Sequence, residues 1–187
     1  AGLSGGLSSP DSQAGNIILN ATDSINISDR SQINNQVNFF DRGNAGMIEI
    51  NSNTFNLINS TFSTQSFGQG DSGNIKINST QSASIIDSSI DADVSIGVPG
   101  KGGSIDIITG SLSLQNSDLT TATFGVGDGG KIAISASDNI LLQNSQIKND
   151  SFGEGNAGDI AIDAINNIRL DNSSIDSVVT IFGQGNG

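Results

Sequence analysis

Apolar residues are sparse in this chain, but they fall on a short repeated pattern. Glycine, any residue, isoleucine, any residue, then isoleucine or leucine occurs at Gly15–Leu19, Gly46–Ile50, Gly73–Ile77, Gly103–Ile107, Gly130–Ile134 and Gly158–Ile162. Successive glycines stand 31, 27, 30, 27 and 28 residues apart. A second alternating pair follows in each unit: Ile25/Ile27, Phe55/Leu57, Ala83/Ile85, Leu112/Leu114, Ile140/Leu142 and Ile168/Leu170. A lone apolar residue comes next, at Phe62, Ile90, Leu119, Ile147 and Ile175, with Ile33 in the slightly longer first unit. A fourth apolar site closes the unit at Phe67, Phe124, Phe152 and Phe182, with Phe40 and Ile96 as looser counterparts.

Alternation of this kind marks strands with one buried face, and helical spacing is not sustained anywhere. Each unit therefore predicts three short strands separated by turns. Strands so short bury an interior only when one unit stacks on the next. The predicted fold is all-β: a right-handed parallel β-helix (β-solenoid) of about six coils over residues 15–187. The coils start near residues 15, 46, 73, 103, 130 and 158, and residues 1–14 form a partial coil or irregular lead-in. At about 4.8 Å per coil the rod is roughly 30 Å long. Two internal columns are expected: Ile17, Ile48, Ile75, Ile105, Ile132 and Ile160, and then Phe67, Phe124 and Phe152. Extra residues in the longer units should be absorbed in turns, chiefly around Asn34–Asp41 and Asp93–Gly102.

The predicted corners carry their own chemistry. Asn59-Ser60, Asp87-Ser88, Asn116-Ser117, Asn144-Ser145 and Asn172-Ser173 precede the lone apolar residues. Asn and Asp tolerate the left-handed backbone region, and in a stack they are expected to form an inward ladder. The other corner is Gly-rich, as in Phe67–Gly73, Phe124–Gly130 and Phe152–Gly158, where glycine supplies positive φ.

Composition narrows the function classes. With 7 Lys+Arg against 19 Asp+Glu the net charge is -12, and the basic residues are scattered, which argues against nucleic acid and anionic membranes. Cys, His, Trp and Tyr are absent, so no disulfide or thiolate metal site exists. No apolar run is long enough to span a bilayer, and Ala1 opens no signal-peptide pattern; a mature chain or internal fragment, without membrane insertion, is expected.

The unit as a whole, with Phe-Gly-x-Gly-Asn-Ala-Gly-x-Ile-x-Ile at Phe152–Ile162 and then the Ile/Leu pair and Asn-Ser-x-Ile, resembles the repeats of filamentous-haemagglutinin-like exoproteins of cyanobacterial type. The likeness runs from about Ser9 to Gly187, and it is the whole repeat that is specific. It implies a right-handed β-helix secreted through two-partner secretion, with an outer-membrane transporter as partner. The family's N-terminal secretion domain has no counterpart here, so the chain reads as shaft only.

Several motifs carry a chemical reading beside a plain structural one. Asp91 and Asp93 share one strand face with Asp87 nearby, as an acid pair of a polysaccharide-active β-helix would require, but no basic cluster or histidine accompanies them. A solvated face is expected. Gly125–Gly130 resembles a calcium-binding β-roll turn, yet the period is near 28 rather than nine, and Asn44 and Asn156 stand where Asp71 and Asp128 do in sister units. Thr120, Thr121 and Thr123 do not recur as an ice-binding array would. The expected role is a structural shaft of a secreted cell-surface adhesin or extracellular filament, with no catalysis, no cofactor and no metal. Its expected partners are itself, by covalent or end-to-end continuation of the rod, and a cell-surface glycan. A polysaccharide-active or glycan-binding β-helix domain is the alternative.

Overall fold

The computed structural model describes residues 2–5, 13–39 and 41–180; over these the chain winds as a β-solenoid of about six turns. All assigned strand pairs are parallel, and among the described residues there is no helix, hence none long and apolar enough to cross a membrane. Coil one holds β2 (Ile17–Asn20), β3 (Ser24–Ile27) and β4 (Gln32–Asn35). Within the lead-in, β1 (Gly2–Gly5) pairs with β4 and sets Leu3 beside Ile33. Coils two to four each fuse the first two expected strands into one: β5 (Ile48–Ile58), β7 (Ile75–Ile86) and β9 (Ser104–Gln115). These coils close with β6 (Thr61–Ser63), β8 (Ser89–Asp91) and β10 (Asp118–Thr120). Coil five returns to three strands, β11 (Lys131–Ala136), β12 (Asn139–Gln143) and β13 (Gln146–Lys148). Coil six repeats it with β14 (Asp159–Ala164), β15 (Asn167–Asp171) and β16 (Ser174–Asp176).

The isoleucine column forms as expected: Ile17, Ile48, Ile75, Ile105, Ile132 and Ile160 are successive partners in the ladder. Its four inner members are fully buried. The columns Ile25-Phe55-Ala83-Leu112-Ile140-Ile168 and Ile33-Phe62-Ile90-Leu119-Ile147-Ile175 run beside it. Burial of one such side chain contributes roughly 1.5–3 kcal/mol before chain entropy is counted, so stability rests on repetition of the columns.

Length differences are taken up mostly where the sequence suggests. In coil three the pairing offset falls from 29 at Val94–Thr123 to 27 at Pro99–Val126, and one further residue sits in a bulge at Ser79–Ser82. In coil one the offset falls from 29 at Val37–Ser66 to 27 at Arg42–Gln69. The other two extra residues of coil one lie earlier, since the offset is 31 at Ile17–Ile48, 30 at Ile25–Phe55 and 29 at Ile33–Phe62.

The Asn-Ser corner corrects one expectation. Asn59, Asp87, Asn116, Asn144 and Asn172 do occupy one corner, each with φ between 47° and 50°. Their side chains point outward, however; Asn116 donates to Asp87 at 2.9 Å and Asn172 to Asn144 at 2.8 Å, both in solvent. The inward ladder is made of serines. The backbone N–H of Ser60, Ser88, Ser117 and Ser145 each donates to the Oγ of the next coil's serine at 3.1 Å. Each of the five serines, Ser60 through Ser173, in turn donates its Oγ–H to the carbonyl two residues earlier. The left-handed residue interrupts the strand's alternation, so that Ile58 and Asn59 both face out before Ser60 turns in. Replacing Ser117 by Ala removes the acceptor of the buried Ser88 N–H and should cost about 1–3 kcal/mol in urea unfolding. Asn116→Gly keeps the backbone geometry and should cost only a few tenths of that.

Candidate functional site

The Gly-rich corner is built by backbone acceptors and Asx side chains. Asn44 Oδ1 accepts from the Asp71 N–H at 2.9 Å, Asp71 Oδ1 from Lys101 N–H at 2.8 Å, and Asp128 Oδ1 from Asn156 N–H at 3.0 Å. Asn and Asp interchange there because both offer the same Oδ1 to the next coil. Among the described residues no group of three acidic side chains is placed to hold a metal ion.

The phenylalanines do not form an internal column. The inward positions on this stretch are Val37, Ser66, Val94, Thr123, Ser151 and Val179, linked coil to coil by parallel bridges. The next residue in each coil faces out, which places Phe67, Phe124 and Phe152 on the surface; Phe124 and Phe152 are 36% and 37% exposed. Phe182 and Phe40 lie outside the described residues. Backbone bonds fix the outward register: Phe67 N–H to Val37 O, Ser95 N–H to Ser66 O, Phe124 N–H to Val94 O and Phe152 N–H to Thr123 O. Ser95, not Ile96, is thus the counterpart of the phenylalanines, and Ile96 begins a two-residue insertion. Phe124 and Phe152 stack face to face at 4.6 Å, and Phe67 packs on Phe39 at 5.1 Å. Between the two ring pairs, coil three offers only serine.

The result is a notch of about 200 Å³ lined by Phe67, Phe124, Ile96, Ser95, Gln65, Val94 and Asp93. Thr120 Oγ1 stands 2.9 Å from an Asp91 oxygen and 3.0 Å from an Asp93 oxygen and shares its one hydrogen between them, and Asp93 also accepts from the Ala122 N–H at 2.7 Å. The expected solvated face is therefore half-buried. Burial, with the Asp91 carboxylate beside it, pushes the Asp93 carboxyl up from about 3.8 to about 7. Burial also raises Asp91, against hydrogen bonds from Thr120 and Ser89. Asp87 is not part of this arrangement; it stands at the Asn-Ser corner, bonded to Asn116. The space between Asp91 and Asp93 is bridged by the Thr120 hydroxyl, whereas an acid pair for glycoside cleavage must flank the scissile bond.

A carboxyl with a raised folded-state pKa binds more protons folded than unfolded between its two pKa values, so its contribution to stability is lost as pH rises from about 4 through about 7. From about pH 5 to pH 8 the stability difference between native chain and Asp93→Asn should shift by on the order of 1–2 kcal/mol against the native chain. The variant keeps an acceptor for Ala122. Parallel urea midpoints for the two proteins across that range would contradict the assignment.

The sequence singles out Asp91 and Asp93, but it assigns their neighbours Phe67, Phe124 and Ile96 to the core rather than to a notch. The signal is the interruption itself: Ser95-Ile96-Gly97-Val98 stands where sister coils have Phe-Gly. The chain matches no protein-family model, no curated protein and no solved structure.

Proposed function

We propose that this chain is a structural segment of an extracellular rod, the shaft of a secreted bacterial surface adhesin or filament of the filamentous-haemagglutinin-like type. The observation that carries this reading is the continuity of the stack. Each strand column passes through the described coils by parallel pairing from one coil to the next. A further coil, from the same chain or from a second copy, would add by the same pairing. A contact of that kind is heterologous and propagates without closing. The repeat likeness supports export through a two-partner transporter, and the acidic surface supports solubility outside the cell. On this reading the chain performs no catalysis: its carboxylates satisfy amides and hydroxyls of neighbouring coils.

Surface exposure tests the reading. An antibody to this chain should label intact cells as strongly as permeabilised ones, and protease added outside should remove the signal. Labelling that requires permeabilisation would overturn it.

A further inference from the structure

We propose that the notch at coil three binds a protonated amino sugar, one hexosamine ring bearing a free ammonium group. The inference goes beyond the shaft reading and does not depend on it. Phe67 and Phe124 are two coils apart, about 9.6 Å along the rod axis. Each already has a ring neighbour on the side away from the gap, Phe39 for one and Phe152 for the other. A pyranose chair placed on the rung of Ser95 lies about 4.8 Å along the axis from each, so that its two C–H faces meet the two aromatic rings. The volume, about 200 Å³, is below the roughly 300–1,000 Å³ of sites for drug-sized ligands and suits a single ring. Ile96, 80% exposed at the rim, offers an apolar edge with nothing yet packed on it.

Charge selects the kind of ring. Asp93 lines the notch, Asp91 stands beside it, and none of the lining residues is basic. Aromatic faces attract cations through their quadrupole, and a desolvated carboxylate pairs with an ammonium by charge-assisted hydrogen bonds. The charged groups around Asp93 are Asp91 on its own coil and, next to Asp91, Asp118 on coil four, while coil two contributes the neutral Gln65. The upward shift of Asp93 fits a site with no cation of its own. The Gln65 side chain donates to Asp93 and Ser95 lines the floor between the two ring pairs.

Calorimetric titration of the chain with fully deacetylated and fully N-acetylated glucosamine oligomers tests this. The deacetylated form should bind at least about tenfold more tightly. Asp93→Asn should weaken that binding about tenfold or more. Ser95→Phe inserts the missing ring and should abolish binding while the melting temperature holds or rises. Equal binding of both oligomers, binding that survives Ser95→Phe in a folded protein, or no binding at all would overturn the proposal. So would tetramethylammonium competing as well as the free glucosamine monomer, which would leave a plain ammonium site.

Discussion

Phe55→Ala should be the most damaging truncation in the interior, lowering stability by about 3–5 kcal/mol. Phe55 is fully buried, and its ring lies 5.7 Å from that of Phe62 in the same coil. Its partners along the column are Ile25 in coil one and Ala83 in coil three. The column thus sets its largest member directly against its smallest, and Ala83 has no side chain with which to fill the space. Two adjacent alanines would leave a cavity that a rigid stack of parallel strands cannot close. Moving the ring one rung, in the double variant Phe55→Ala with Ala83→Phe, conserves column volume and should recover part of the loss. Urea unfolding of the three proteins measures this; a loss below about 1 kcal/mol for the single variant would show that the interior is not packed as described.

Gly103→Ala should cost about 3 kcal/mol, unusual for the addition of one methyl group. Gly103 has no positive φ; its constraint is the coil beneath it. A Cβ there lands on the carbonyl oxygen of Gly73, with the Ala92 methyl close by at 3.1 Å. That carbonyl is held by the Thr64 hydroxyl at 2.9 Å, so it cannot swing aside without giving up a buried hydrogen bond. The coils must instead separate locally, which breaks ladder bonds on both sides. Ser104→Ala, one residue on, should stay within about 0.5 kcal/mol and serves as the control. Thermal unfolding that ranks the two variants together would contradict the close approach.

These two glycine and phenylalanine cases also show what was legible beforehand. Alternating apolar pairs at fixed spacing located the first two strands of each coil and set the register of the inner columns, because period-two patterning admits only one buried face; the closing strands rest on single apolar residues, and β1 carries no such signal. The requirement for glycine was visible too, but its cause was only half visible. Positive φ holds at Gly43, Gly70, Gly127 and Gly155, whereas Gly46, Gly73, Gly103, Gly130 and Gly158 are dictated by backbone of the neighbouring coil, which a linear sequence does not display. The phenylalanine column was misplaced for a related reason. Single apolar residues flanked by Ser, Thr and Gly carry no alternation, and the true inward positions, Ser66, Thr123 and Ser151, are small and polar. The same blindness hid the notch, since a gap is recognised only once the rungs on either side have been aligned. At the Asn-Ser corner the repeat named both residues correctly but assigned the inward place to the wrong one.

The central claim, that these coils are part of an extracellular shaft, meets its most direct test in immunogold electron microscopy of the native surface material. Gold should decorate thin rods along their length, at sites set back from the cell. Label confined to compact particles, or retained inside sectioned cells with no filament attached, would contradict it.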